Sequence, residues 1–339
     1  MIYAIGHNII SPLGDTSAAN YEAVQAGRSG LKIYTDRFPD VEPFCASLFD
    51  TPQSFVPLCI RSVEQAIINY PYGASRSEEL SIINSKDTVF ILSTTKGDNL
   101  DLLTPAQTIA RHFGNPNPPI VVSNACTSGV CAQITAQRLL EAGLYRHAVV
   151  IGCDIQTRFI VSGFQSFKAL SPEPCQPFHP DRKGLNLGEA AATIIYSQVR
   201  PATANSQQLM ANSQQPLWAL EAGSIHNDAN HISAPSRTGE GAYQCLKDVM
   251  TGLTPDEIAL IGVHGTATPY NDAMEQVALE RAGLQNVPKS VLKPFFGHTM
   301  GAAGVLETIL CAMQTKQGTC IKILSGFGGV NAAIRITCE

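Results

Sequence analysis

The sequence predicts an α/β fold made of two similar halves, and three observations carry that reading. Apolar, β-branched runs alternate with helical patterns, which argues for an α/β domain with a mostly parallel sheet. The alternation breaks at a polar stretch and then resumes with similar content. In each half, a turn bearing a reactive residue type follows a buried strand, as a duplicated unit would place it. The organisation predicted is an N-terminal half over 1–200, a loop or linker over 201–216 and a C-terminal half over 217–339.

The elements follow from the pattern in order. Residues 3–5 read as a strand, and the turn Ser11-Pro12-Leu13-Gly14 leads to a helix capped by Asp15 or Thr16 and stopped near Gly27. A helix over 60–68 turns Val63, Ala66 and Ile67 inward. Residues 88–92 are a buried strand, 104–113 a helix, 120–122 a short buried strand and 147–152 another strand. From Ser128 the spacing becomes helical, with Val130, Ile134, Ala136 and Leu140 on one face and Gly143 as the stop. The stretch 200–216 is poor in large apolar residues and repeats Asn-Ser-Gln-Gln at 205–208 and 212–215. Beyond it, 217–223, 258–263, 321–324 and 332–336 read as strands. Residues 239–250, 273–281 and 301–314 read as helices, with Gly283 just past the second of these.

Composition bounds the function. The 339 residues are 44% hydrophobic and 15% charged, enough for a large core and against disorder. A net charge of −5 argues against a general nucleic-acid or anionic-membrane binder, though not against a local basic patch for an acidic partner. No run of apolar residues predicts a membrane span, and the N-terminus lacks the basic region of a signal peptide. The ten cysteines are scattered without a Cys-x-x-Cys pair, which argues against a zinc site or redox dithiol and for reduced cysteines in a cytoplasmic protein.

Four stretches place polar residues at predicted strand ends. Val121-Val122-Ser123-Asn124-Ala125-Cys126-Thr127-Ser128-Gly129 puts Cys126 at a sharp strand-to-helix turn, the geometry that exposes a nucleophile. A helix N-terminus favours negative charge, so the position is expected to lower the thiol's pKa. Taken alone, a buried core cysteine competes equally. The second stretch is His264-Gly265-Thr266-Ala267-Thr268-Pro269, followed by Asn271, Asp272 and Glu275. The third runs from Lys293-Pro294-Phe295-Phe296-Gly297-His298 through Gly304, and the fourth is Ser325-Gly326-Phe327-Gly328-Gly329-Val330-Asn331. A lone histidine after a strand is more often structural. A cysteine and two histidines in matching turns are harder to dismiss.

These residues resemble the elongating β-ketoacyl-acyl-carrier-protein synthases of the thiolase superfamily. The resemblance runs from Ser11-Pro12-Leu13-Gly14 through Ala125-Cys126-Thr127-Ser128-Gly129 and Ala169-Leu170-Ser171 to Pro177-Phe178. It continues through Gly184-Leu185-Asn186-Leu187-Gly188-Glu189, His264-Gly265-Thr266 and the glycine-rich 297–304, and ends at Gly326-Phe327-Gly328-Gly329. A second histidine separates this branch from similar condensing enzymes that start chains and use asparagine there. The cysteine separates it from chain-length-factor partners, which lack the nucleophile.

The resemblance implies a thiolase-like fold with layered α-β-α-β-α architecture and an acyltransferase in fatty acid or polyketide synthesis. Cys126 would take an acyl group from the phosphopantetheine of an acyl carrier protein. His264 and His298 would hold the enolate left when malonyl thioester loses carbon dioxide. The backbone N–H groups of Cys126 and Phe327 would hold the tetrahedral oxyanion. Lys293, in the family paired with an acid and here expected to meet Glu275, would set the electrostatics of the histidines. A plain structural ion pair is the alternative for these two. Thr266 and Thr268 match residues that bind the pantetheine arm, Phe327 a gating phenylalanine, and Phe164 a residue near the acyl pocket. Lys168 and Arg61 are candidates for touching the acidic carrier. No bound cofactor or metal is implied; the partners are acyl carrier protein and a second subunit, identical or related. The dimer is expected to pair the 120–124 strand with its copy.

Some features depart from the family. The chain is shorter than typical members, the segment before Cys126 is trimmed, and Phe327 follows His298 by 29 positions, where a longer excursion is usual. Two other readings stand beside active elongation: a non-elongating partner subunit of a heterodimer, and a cysteine hydrolase using Cys126 with His264.

Overall fold

The computed structural model describes residues 1–68, 81–201 and 217–339. From residue 202 the expected linker, with both Asn-Ser-Gln-Gln repeats, lies outside the described residues. The strands are β1 (Ile2–Ile10), β2 (Lys32–Tyr34), β3 (Phe44–Ser47), β4 (Thr88–Ser93), β5 (Ile120–Val122), β6 (His147–Asp154), β7 (Leu187–Gly188), β8 (Ala190–Ser197), β9 (Trp218–Asn227), β10 (Ile258–Gly262), β11 (Lys289–Ser290), β12 (Gly318–Gly326) and β13 (Val330–Cys338). The α-helices are α1 (Ser17–Gln25), α2 (Phe55–Ile68), α3 (Leu103–His112), α4 (Ser128–Glu141), α5 (Arg158–Ser166), α6 (Glu240–Val249), α7 (Pro269–Arg281), α8 (Lys293–Phe296) and α9 (Ala303–Thr315).

Ten strands form one sheet in the order β11-β10-β12-β13-β9-β1-β8-β6-β4-β5. Number the strands of that sheet in chain order within each half, and both halves read 3-2-4-5-1 from the outer edge. The repetition is topological, and the two edges numbered 1 meet where Ile2, Tyr3 and Ala4 pair antiparallel with Leu220, Ala219 and Trp218. The expectation of a mostly parallel sheet is corrected. In each half the outer pairs are parallel, β4 with β5 and β6, and β10 with β11 and β12. The pairs nearer the junction are antiparallel. The reason is local: β12 returns as β13 through a tight glycine hairpin, which permits only antiparallel pairing.

Period-two alternation distributes the strand side chains between layers. In β4, Val89 and Ile91 join one core cluster while Phe90 and Leu92 join another. In β12, Cys320 and Leu324 face the first cluster, Ile321 and Ile323 a third. The shared first cluster surrounds α4 and α9, which touch strands of both halves. A helix apolar on all sides is a buried helix, and every residue of α9 from Ala303 to Met313 is buried. The two central helices cross where Gly129 and Gly304 leave no room for a Cβ. Helices α2 and α3 pack on the outer face of one half, α6 and α7 on the other. The layers are therefore α-β-α-β-α, as the resemblance implied. Among the described residues no helix is long and apolar enough to cross a membrane.

Several elements escaped the sequence reading. β8 opens on Ala190, Ala191 and Ala192, small residues without a strand signal, yet every position in it is buried. β2, β3 and β7 form a three-stranded sheet of two to four residues per strand, too short for periodicity to register.

Candidate active site

Cys126 lies between the end of β5 and the start of α4. The turn requires Ala125 at φ +48°, a left-handed conformation that non-glycine residues rarely adopt. It is locked locally. Ser128 Oγ donates to Ala125 O at 2.6 Å and accepts from the Asn124 N–H at 2.7 Å, and Thr127 Oγ1 donates to Asn124 O at 2.7 Å. From the far side, the Gly326 end of β12 packs against the Cys126 backbone.

His264 follows β10. Its backbone N–H donates to Glu275 Oε1 at 2.5 Å, and the Gly265 N–H donates to Glu275 Oε2 at 2.8 Å. His298 is fixed by its own backbone, which donates to Asn186 O at 2.6 Å and accepts from the Gly188 N–H at 3.0 Å. Gly297 must be glycine here: φ is +64° and a Cβ would lie 2.2 Å from Leu187 O. The Met300 N–H donates to His298 Nδ1 at 3.4 Å, which leaves the ring proton on Nε2. Among the described residues, that Nε2 and His264 Nδ1 are buried without a hydrogen-bond partner. Two unsatisfied ring nitrogens in a cavity wall are positions where a substrate oxygen completes the hydrogen bonding.

The three side chains converge. One ligand atom each from Cys126, His264 and His298 lies within 4.8 Å of the others, and the two rings meet edge to face at 5.3 Å. They line a cavity of about 410 Å³ that also takes in Phe164, Thr266, Thr268 and Phe327. Phe327 sits at the hairpin between β12 and β13, 39% exposed, stacked on Phe164 at 5.9 Å. Thr266 and Thr268 hydrogen-bond each other at 2.9 Å along one wall. Lys168 also lines the cavity, whereas Arg61 lies on α2 against Asp15 and Gln53, away from it.

Two expectations are corrected. The first is the thiol's acidity. Burial pushes the Cys126 thiol up to about 11, and the downward pulls of Lys293, the Phe327 and Cys126 N–H groups and Lys96 offset it only in part. The desolvation of a thiol on a residue only 7% exposed exceeds what one helix N-terminus returns. The second is the partner of Lys293. Its Nζ donates to Glu307 Oε1 at 2.5 Å, not to Glu275, which is occupied with the two backbone N–H groups. The five-residue spacing to His298 fixed the lysine's place but said nothing about which acid on a neighbouring element would reach it.

Sequence reasoning missed Glu307 and Lys322, whose Nζ reaches Glu307 Oε2 at 2.6 Å. Both carried a signal: each is a lone charge inside an apolar stretch, Glu307 within α9 and Lys322 between Ile321 and Ile323. It also missed Asp154, which accepts from Thr94 Oγ1, from the Thr95 N–H and Oγ1, and from the Gly301 N–H at 2.6–3.2 Å, tying β4 and β6 to the segment after His298.

Burial first, then Lys293 and Lys322, hold both imidazoles well below the ordinary histidine range, with the neighbouring His298 adding to the shift of His264. At neutral pH the cavity therefore presents a thiol and two uncharged rings. Cysteine with two histidines is a donor set zinc accepts. Here two buried ammonium groups stand behind the rings and oppose a dication. The arrangement suits a reaction in which negative charge appears transiently on substrate oxygen.

Known proteins bear on this geometry. The N-terminal domain model of beta-ketoacyl synthases matches residues 75–201 and the C-terminal domain model residues 219–326. The 3-oxoacyl-[acyl-carrier-protein] synthase 2 of Rhizobium meliloti (strain 1021) is 32% identical over 228 residues, covering 63% of this chain and 52% of the relative. The chain thus spans about half the length of that relative. The synthase of the same name from Coxiella burnetii is 25% identical over 362 residues, with 93% and 85% covered. Among solved structures, the ketosynthase (ApeO) in complex with its chain length factor (ApeC) from Xenorhabdus doucetiae superposes with a TM-score of 0.85 at 24% identity, covering 100% of this chain and 98% of the other. With both domain models matched in order and the cysteine and histidines brought to one cavity, the chain belongs to the beta-ketoacyl synthase family.

Proposed function

We propose that the protein is an elongating β-ketoacyl-acyl-carrier-protein synthase, which condenses an acyl group held on Cys126 with malonyl carrier. The observation that carries this is the convergence of Cys126, His264 and His298 within 4.8 Å in a cavity with unsatisfied ring nitrogens. Loading forms the Cys126 S–C(acyl) bond and breaks the carrier's thioester. The cysteine's proton passes to the departing pantetheine thiol, so the step is proton-neutral. The Cys126 and Phe327 N–H groups, which already act on the sulfur, are the donors for the oxyanion. The second step breaks the malonyl C–carboxylate bond, releases carbon dioxide and leaves the electron pair in an enolate. Its oxygen accepts from the neutral imidazoles of His264 and His298. The enolate carbon then attacks the acyl carbonyl, a C–C bond forms, the C–S bond breaks, and Cys126 regains a proton from solvent.

Thr266 and Thr268 would take the pantetheine arm, Phe164 and Phe327 would shape the acyl path, and Lys168 at the cavity would meet the acidic carrier. Lys293, held by Glu307, acts on both histidines by its charge, and Glu275 acts on His264 through the backbone N–H groups of His264 and Gly265. β5 is an edge of the large sheet and presents unpaired backbone beside the nucleophile, which supports a dimer pairing β5 with its counterpart in a second copy or related subunit. The competing assignment, a partner subunit without elongating activity, lacks a reason for keeping the cysteine and both rings.

Intact-mass measurement after incubation with a panel of acyl-carrier thioesters tests the assignment. The mass should rise by the acyl group, the adduct should map to Cys126, and Cys126→Ser should abolish it. Acylation that persists in that variant, or release of free acid without malonyl carrier, would refute it. Light scattering tests the dimer: full condensing activity from a stable monomer would exclude it.

A further inference from the structure

Lys322 lies at the centre of β12 and is 0% exposed. Parity puts it on the same face as Cys320 and Leu324, toward the central helices. Its Nζ donates to Glu307 Oε2 at 2.6 Å, to Val263 O at 2.8 Å and to Gly262 O at 3.2 Å, so every ammonium proton has an acceptor. Lys293 holds the other oxygen of Glu307. One carboxylate thus faces two buried ammonium groups, and the cluster carries one surplus positive charge.

Burying an ion costs several kcal/mol even after relaxation, and a buried pair needs only one cation. A methionine would fill the Lys322 position without that cost. The lysine is hydrogen-bonded to the backbone immediately before His264, through the Val263 carbonyl, and it stands behind rings that line a cavity whose proposed chemistry creates negative charge. The charged and titratable groups around the two rings are Cys126 before α4, Lys293 of α8 and Lys322 of β12, with Glu307 of α9 between the two lysines and Glu275 of α7, with Asp272 beside it, on the His264 backbone. Within the Lys293–Glu307–Lys322 trio, Lys322 is the second cation on one carboxylate.

We propose that Lys322 is a positioning residue of the condensing site, which fixes the carbonyls of Gly262 and Val263 that carry His264 and supplies a second positive charge behind both imidazoles. This rests on the condensing reading above. The charge does two things. It keeps the rings unprotonated, hence able to donate to an oxygen without becoming full cations, and it favours the enolate over the malonyl thioester that precedes it. Consistent with this, Lys322 adds to the downward shift of both histidines.

The test uses the full chain and Lys322→Met, which keeps the length of the stem. With malonyl-acyl carrier protein, kcat for carbon dioxide release should fall about 10–100-fold while KM stays within about 2-fold, the pattern of a lost orienting group. The acid limb of kcat should move to higher pH, because rings without the second cation protonate sooner. Loading of Cys126 from an acyl-carrier thioester should change far less. Histidine-labelled NMR of the resting protein should show His264 and His298 titrating at higher pH than in the unaltered chain. Lys322→Gln, which can still donate to a carbonyl but carries no charge, should move the histidine titration in the same direction, and it serves if the methionine variant does not fold. Unchanged kcat and unchanged titration, an equal fall in both half-reactions, or loss of folding in both variants would overturn the proposal. If the unaltered protein releases no carbon dioxide from malonyl carrier, the condensing reading fails, and the resting-state titration alone decides the role of Lys322.

Discussion

The two halves share a strand order but not a chemistry. In both, strands 2 and 3 end at the central layer and lead into reactive or structural turns. In the first half, strand 3 (β5) leads to Cys126 and α4, while strand 2 (β4) leads to Thr94 and Thr95, which hold Asp154. In the second, strand 3 (β11) leads to Lys293, His298 and α9, while strand 2 (β10) leads to His264. Cys126, the proposed nucleophile, comes from one half and both imidazoles from the other. One buried acid of each half differs likewise: Asp154 is held by neutral hydroxyl and N–H donors, Glu307 by two lysines. A duplicated strand order thus supplies equivalent strand ends, and the two buried lysines stand only behind those of the second half.

The largest expected effect separates these duties. His298→Ala should lower carbon dioxide release from malonyl carrier by about 10²–10³, the usual loss for one oxyanion donor. Acyl transfer to Cys126, run by the other half, should be comparatively intact when followed by intact mass. Equal loss in both half-reactions would erase the division between halves and recast His298 as a structural residue.

Charge distribution gives the next contrast. Glu307→Gln leaves two buried ammonium groups without an anion and should destabilise the fold by about 3–5 kcal/mol in urea unfolding. Asp154→Asn leaves neutral donors and should cost about 1–3 kcal/mol. Similar losses would mean that the lysine pair is effectively neutral or hydrated.

How much of this the sequence discloses depends on range. Cys126, His264, His298, Phe327 and both threonines were legible because each sits in a short motif whose turn chemistry is local. The layered fold was legible from runs such as Val89-Phe90-Ile91-Leu92. Which acid meets Lys293 was not, because Glu307 approaches it from a separate helix and strand spacing carries no such information. The thiol's raised pKa was hidden for the same reason. A helix N-terminus can be read locally, but the desolvation that outweighs it comes from the whole cavity. β8 was lost because alanine has no strand signature until a sheet closes on both faces.

A subtler comparison joins Glu275 and Glu189, one in each half, each accepting two backbone N–H groups. Burial pushes Glu275 up to about 7, with Asp272 adding to the rise, against the pull of the Gly265 and His264 N–H groups and Lys322. Its folded pKa exceeds the unfolded value of 4.5, so its stabilising contribution is full below 4.5 and is lost as pH rises through about 7. Glutamine does not titrate. The stability difference between Glu275→Gln and the unaltered chain should therefore shift in the variant's favour across that window, by up to about 3 kcal/mol at about 1.4 kcal/mol per unit. Glu189, also raised first by burial, should give the same sign. A difference that does not vary with pH would mean Glu275 stays ionised.

The smallest effect is expected where the halves touch. A Cβ on Gly304 would lie 2.4 Å from Val130 N and 2.6 Å from Gly129 C, and one on Gly129 would lie 2.8 Å from Gly304 Cα. All of these are backbone atoms, which cannot swing aside as a side chain would. Alanine in a helix interior otherwise gains about 0.5–1 kcal/mol over glycine, while overpacking a tight interior costs about 1–3 kcal/mol. The contact distances decide for overpacking, so Gly304→Ala should lose about 1–2 kcal/mol net in urea unfolding. The catalytic consequence should exceed the thermodynamic one. Gly129 lies three residues after Cys126 and Gly304 six after His298, so parting the helices moves Cys126 away from the His298 ring, its partner in the proposed condensation. A 1 Å misplacement can cost about 10²-fold in rate. Condensation measured with pre-acylated protein and malonyl carrier should therefore fall more than loading does. If Gly304→Ala instead stabilises the protein and leaves condensation unchanged, the helices have room to spare, and the close crossing is not what registers the two halves.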